Sequence, residues 1–289
     1  MSWTSLPEQL SAMIAERSIQ GGNVAVAARD LVAGQRVSIA AERVFSSASL
    51  IKVPIMVAAL QEAESGRLPL SRQLRLDAVP RVGGSGVLAE LTDLDRLSVR
   101  DLLTLMIVIS DNLATNLLID AIGMAVINRS AAAAGLAHTR LRRTMMDLEA
   151  RRVGLENHTT ATDMTLLLEQ IAIGRGGLFG SQESCAVARH ALARQQLNDR
   201  LPRHLPAGAC FAHKSGELAG IRHDAGYLLV AGRPVLALTV LTEGFGSADD
   251  PGGAGPVAAD LVADIGRFLH RSLGAAGMDS GLSPSTEQG

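Results

Sequence analysis

Phe45-Ser46-Ser47-Ala48-Ser49-Leu50-Ile51-Lys52-Val53-Pro54 leads into an apolar helical stretch and holds a serine and a lysine three residues apart. On a helix that spacing places Ser49 and Lys52 on one face, a turn apart. Of the 27 basic residues only Lys52 and Lys214 are lysines. A guanidinium keeps its proton inside a protein, whereas a desolvated ammonium can lose it and serve as a base. A neutral Lys52 amine would take the Ser49 proton, and the helix dipole would favour the oxyanion or alkoxide that forms. Read alone, the pair fits equally a capping serine followed by a solvated lysine.

Around this segment the chain reads as strands and a helix at each end with a helical insert between. Residues 7–20 have helical spacing (Leu10, Met13, Ile14) after Pro7. The stretch 23–30 and Arg36-Val37-Ser38-Ile39-Ala40 read as a hairpin. From Ser49 to about Gly174 the pattern is mostly helical. Strands are expected at 209–213, 225–230 and 234–242, with turns at 216–220 and 232–233, and a last amphipathic helix at 257–273. The most economical arrangement is an α+β fold, with one antiparallel sheet flanked by the terminal helices. The expected division is a sheet part at 1–48 and 205–273, a helical part at 49–204, and a disordered polar tail at 274–289.

Composition narrows the function. A chain of 289 residues suits one large domain or two closely packed parts. With 47% hydrophobic and 2% aromatic residues, the core must come from Ala, Leu, Val and Ile. A net charge of -2 with scattered signs gives no footprint for nucleic acid. Its apolar runs are too short to span a bilayer. The N-terminus lacks a basic segment followed by an apolar one, so the chain as written is expected in the cytoplasm, or in the periplasm or outside the cell if a leader was removed. Cys185 and Cys210 match no metal-ligand spacing and are expected as free buried thiols. No histidine pair has ligand spacing, so neither metal nor other cofactor is expected.

Two more motifs join the first. Ser110-Asp111-Asn112 follows the apolar segment 99–109, and Lys214-Ser215-Gly216-Glu217 ends a strand-type run. Singly, these read as a turn with an N-cap and as a turn. In the order SxxK, SDN, K[ST]G they are the signature of class A β-lactamases and penicillin-binding proteins, and the chain resembles that family. The resemblance extends to 45–54 and to Ser110-Asp111-Asn112-Leu113-Ala114-Thr115-Asn116, and to the spacing between motifs over residues 7–273. It implies a five-stranded antiparallel sheet with flanking helices, an all-helical part, and a site between them. By resemblance, Ser49 is the acylated nucleophile, Lys52 its proton acceptor and Ser110 the relay to the leaving nitrogen. Asn112 holds Lys52 and a substrate amide, Lys214 supports the charge near Ser110, and Ser215 binds a substrate carboxylate. The backbone N–H groups of Ser49 and Glu217, beside Gly216, form the oxyanion hole. Arg222, eight residues past Lys214, is either a second carboxylate contact or an ordinary strand arginine.

One departure matters. The family's Glu-x-x-Leu-Asn loop, whose glutamate activates the deacylating water, is absent. The nearest match, Met145-Met146-Asp147-Leu148-Glu149, has methionine at the glutamate's place. Glu149 is the favoured substitute base, on the expectation that it follows the methionines inward with a raised pKa; a salt bridge to Arg151 or Arg152 is the alternative. Asp147 and Glu156 are the other carboxylates nearby. The implied function is a monomeric serine hydrolase that opens β-lactam rings through a Ser49 acyl-enzyme. A related esterase or D-amino-acid peptidase, and a penicillin-binding sensor that stays acylated, are the alternatives.

Overall fold

Val24, Val26 and Ala28 alternate with Ala25 and Ala27 along the first strand, so the two sets point to opposite faces of a sheet. Both sets are buried. The computed structural model describes residues 3–17, 21–174, 177–206, 208–245 and 255–279. In chain order its first half comprises α1 (Leu6–Arg17), β1 (Asn23–Asp30), β2 (Arg36–Ile39), β3 (Phe45–Ser46), α2 (Lys52–Glu64), β4 (Gln73–Arg75), β5 (Arg96–Ser98), α3 (Val99–Val108), α4 (Asn112–Ile122) and α5 (Met124–Ala133). Then follow α6 (Leu148–Arg152), β6 (His158–Thr159), α7 (Ala161–Ile173), α8 (Gln182–Ala193), β7 (Cys210–Leu218), β8 (Ile221–Val230), β9 (Arg233–Glu243) and α9 (Gly255–Asp279).

The five-stranded sheet has the order β2-β1-β9-β8-β7, all antiparallel, as the α+β reading requires. Its outer face carries Val26, Leu238 and Val240 against Leu6 and Leu10 of α1 and Leu261, Val262 and Ile265 of α9. Its inner face carries the small residues Ala25, Ala27, Ala225 and Ala237 and joins the core of the helical part. Alanines there let α7 approach closely. Thr165 of α7 donates to the Ala27 carbonyl at 3.2 Å, and its Oγ1 lies at hydrogen-bond distance, 2.9 Å, from Thr239 Oγ1. Helix α7 therefore belongs to the sheet's inner layer as well as to the helical part. Thr160 caps it, accepting from the Asp163 N–H at 3.1 Å, while the Asp163 carboxylate binds the His138 N–H instead of closing a capping box.

Four expectations are corrected. The strand read as ending at His213 runs on to Leu218, so Lys214-Ser215-Gly216 lies within β7, the free edge of the sheet. Ser and Gly are turn residues by local chemistry, but nine residues of register with β8 outweigh that preference here. The part expected to be wholly helical also holds the two-stranded sheet β4-β5 and the short strand β6, which pairs with β3 of the sheet part. The last helix extends to Asp279 rather than stopping at Leu273, and the rest of the tail, 280–289, lies outside the described residues. The two cysteines are free, but Cys185 is half-buried and Cys210 exposed, since Cys210 starts an edge strand.

Candidate active site

Ser49 sits in a single 3-10 turn, Ala48–Ile51, that runs straight into α2, whose first residue is Lys52. The turn is fastened to the sheet. His223 of β8 donates through Nε2 to the Ser46 carbonyl at 2.8 Å and accepts at Nδ1 from the Thr242 N–H at 3.0 Å. That pair of contacts requires a neutral ring, and burial pushes its pKa down to about 4. Gly216 lets β7 press against the same turn: a Cβ there would meet Ala48 Cβ, Leu50 Cγ and His223 Cβ, each at 3.3 Å.

The Lys52 amine is wholly buried and lies 2.7 Å from the Ser110 carbonyl, 3.0 Å from Ser110 Oγ and 2.8 Å from Asn112 Oδ1. Asn112 Nδ2 donates to the Gly83 carbonyl at 2.9 Å, which turns its Oδ1 toward the lysine. Two of the three contacts are thus obligate acceptors, while the hydroxyl can donate or accept. A neutral amine, with two N–H bonds and a lone pair, satisfies all three. Burial, reinforced by the charge of Lys214 and opposed by Asp111, holds the Lys52 pKa well below the usual lysine range.

Ser110 presents both its carbonyl and its hydroxyl to Lys52, and does so with a left-handed φ of 59°. Asp111 fixes that geometry. One carboxylate oxygen caps α4 at the Ala114 N–H (2.9 Å), and the other binds the N–H groups of Val87 and Leu88, both at 2.8 Å. The loop it holds must pass very close: a Cβ on Gly86, at φ 93°, would lie 2.1 Å from Asp111 Oδ2. On the opposite wall, the buried Lys214 amine donates to the Ser215 carbonyl at 2.8 Å. Its pKa falls to about 7, chiefly through burial, with Asp224 opposing and Arg200 assisting.

These groups border a cleft of about 440 Å³. Of the sequence candidates, Ser49, Ser110, Asn112, Ser215 and Glu217 line it, with Lys52, Lys214 and Gly216 immediately behind. Two candidates do not join them. Glu149 is 84% exposed and pairs with Arg152 at 3.0 Å, so the expectation that it turns inward fails. Asp147 caps α6 by accepting from the Ala150 N–H at 2.9 Å, and that start sends Leu148 and Arg151 to the cleft while Glu149 and Arg152 face outward. Arg222 donates to the carbonyls of Leu218 and Ile221 and pairs with Glu217, and does not itself line the cleft.

Sequence reasoning missed Arg200. It is 1% exposed yet lines the cleft, reaching Glu217 Oε2 at 2.6 Å and leaving its Nε without a partner among the described residues. No motif surrounds it; Asn198-Asp199-Arg200 reads as a polar loop. Met145 does stand in the cleft wall, its backbone held in both directions by Asn116 (2.8 and 3.1 Å). Among the described residues no group of three or more His, Cys, Asp or Glu is placed to hold a metal ion, and no helix is long and apolar enough to cross a membrane.

A serine in the turn that opens onto a wholly buried lysine, placed between a five-stranded antiparallel sheet and a helical part, defines the class of active-site-serine, penicillin-recognising folds. The chain belongs to the beta-lactamase enzyme family, whose model matches residues 5–273. It is 28% identical over 269 residues to a beta-lactamase of Streptomyces albus G, covering 88% of this chain and 81% of that one. It is 26% identical over 288 residues to the beta-lactamase regulatory protein BlaB of Streptomyces cacaoi, covering 85% and 91%. The solved structure of a beta-lactamase from Sphaerobacter thermophilus superposes with a TM-score of 0.82 at 30% identity, covering 95% and 99%.

Proposed function

We propose that this protein recognises β-lactams, or amides and esters of similar shape bearing a carboxylate, and forms an acyl-enzyme at Ser49 that water releases slowly. The observation that carries the reading is the wholly buried Lys52 amine, held by Ser110 and Asn112 at the end of the Ser49 turn. The neutral amine takes the hydroxyl proton as Ser49 Oγ bonds to the substrate carbonyl carbon. The backbone N–H groups of Ser49 and Glu217 receive the oxyanion. The C–N bond then breaks, Ser110 giving its proton to the departing nitrogen and taking one from Lys52. Protons balance, and the lysine ends neutral. Lys214, Ser215 and Arg200 make one end of the cleft cationic, which suits a substrate carboxylate.

Slow release follows from what the cleft wall carries. At the glutamate's place stands Met145, and the one carboxylate among the lining residues, Glu217, is engaged by both Arg200 and Arg222. A missing general base costs about 10²- to 10⁴-fold in rate. The name of the Streptomyces cacaoi relative, a regulatory protein, favours a sensor that stays acylated as the second reading. Intact mass followed over time after mixing with benzylpenicillin tests both. A gain of one whole penicillin that decays slowly and disappears in Ser49→Ala supports the proposal. Labelling that persists in Ser49→Ala, or none at any concentration, overturns it.

A further inference from the structure

Arg200 stands on a segment tied to two residues that do not line the cleft. The chain from Asn198 to Leu201 is fastened at both ends to residues of β7 and β8. His213 Nε2 lies 3.0 Å from Asn198 Oδ1, and Asp224 Oδ2 accepts from the Leu201 N–H at 3.1 Å. His213 and Asp224 are themselves joined, Nδ1 to Oδ1, at 2.7 Å, and both side chains are fully buried. Asn198 Nδ2 donates to the Gln195 carbonyl at 3.2 Å, which leaves its oxygen facing the ring. Behind the segment, α9 lies against it so closely that a Cβ on Gly266 would meet the Leu201 carbonyl at 2.6 Å.

We propose that His213 and Asp224 are positioning residues that hold the Asn198–Leu201 segment so that the Arg200 guanidinium stands in the cleft beside Ser215. His213 is a neighbour of Lys214 in sequence but points to the other face of β7, toward Phe211, so its effect on the cleft passes through the segment. Glu217 (2.6 Å) and the His223 carbonyl (3.4 Å) hold the end of the guanidinium but leave Nε unpartnered, so its buried position also calls for a backbone that does not relax outward. The inference rests on the proposed acylation of Ser49 by a carboxylate-bearing substrate.

The test compares acylation by benzylpenicillin with that by its methyl ester, which keeps the ring and removes the negative charge. Arg200→Ala should slow benzylpenicillin by about 10- to 100-fold and the ester far less, as expected for loss of a charged hydrogen bond. His213→Gln should show the same selective loss, about 3- to 10-fold, because the segment loosens without losing its arginine. Asn198→Ala removes an exposed residue and spares the core, so it gives the same reading should His213→Gln fold poorly. In the Arg200→Ala background, either change should cost less than about 2-fold, since both act through a side chain already gone. Equal losses for penicillin and ester, or undiminished losses in the Arg200→Ala background, would overturn the positioning role while leaving the Ser49 reading intact. A parent acylated by neither compound would remove both.

Discussion

Met145→Glu should convert a slow acyl-enzyme into a rapidly recycling one. Asn116 grips the Met145 backbone from both sides, so the new side chain would leave the wall from a fixed point. Glutamate is about as long as methionine, so its carboxylate would occupy the place of the thioether at the cleft wall. Position 145 is 7% exposed, and burial there would raise the carboxyl pKa toward the range of a group able to deprotonate water near neutral pH. A positioned general base contributes about 10²- to 10⁴-fold, equivalent to about 3–5 kcal/mol of barrier. The cost is incomplete solvation of the carboxylate, about 1–3 kcal/mol of stability. The assay is the decay of the benzylpenicilloyl mass after excess penicillin is removed, with Met145→Gln as the uncharged control. A folded Met145→Glu protein that is acylated at the parent rate, and whose acyl-enzyme lives as long as the parent's, would refute the argument that this position limits release.

The remaining expectations concern acylation, pH and stability. Lys52→Arg should nearly abolish acylation because a guanidinium cannot accept the serine proton, while Lys214→Arg should keep more of it; equal small losses would show that Lys52 is no base. Glu149→Gln should acylate and release like the parent, because the residue is exposed and faces Arg152; a trapped acyl-enzyme would show that the loop rearranges on binding. Lys214 loses its proton as pH rises through about 7, so acylation by benzylpenicillin should fall over that range relative to its methyl ester, and parallel profiles would remove Lys214 from carboxylate recognition. The same depressed pKa means the unfolded chain binds more protons between about 7 and 10.5, so this group's contribution to stability grows as pH rises through that window. Gly86→Ala should destabilise by about 2–4 kcal/mol in denaturant unfolding, since it adds a 2.1 Å clash to a left-handed φ.

The groups assigned to acylation were legible in the sequence because each needs one residue type at a fixed spacing. Ser49 and Lys52 must share a helix face, and Ser110 must stand two residues before Asn112 so that both reach the lysine. Local spacing encodes such constraints. The sheet was legible for a related reason, because residues 23–30 and 234–242 are short, nearly continuous apolar runs bounded by turn residues, as strands buried on both faces are. Glu149 could not be placed that way. Its direction depends on where a five-residue helix begins, and a shift of one residue in that start would exchange the inward and outward sets. Nor could Arg200, because nothing within a few residues of it explains a buried cation. Its setting is assembled by His213 and Asp224 from two later strands, and by Gly266 of the last helix leaving room behind Leu201. Lys214-Ser215-Gly216 falls between these cases. Its residue types favour a turn, and only the close approach of the edge strand to Ala48 and Leu50 explains why a glycine sits within a strand. The proton-transfer groups are therefore written locally, while the carboxylate anchor and the release step depend on how distant segments meet. Variants at Met145 and His213 probe that second kind of information, which no motif in the chain contains.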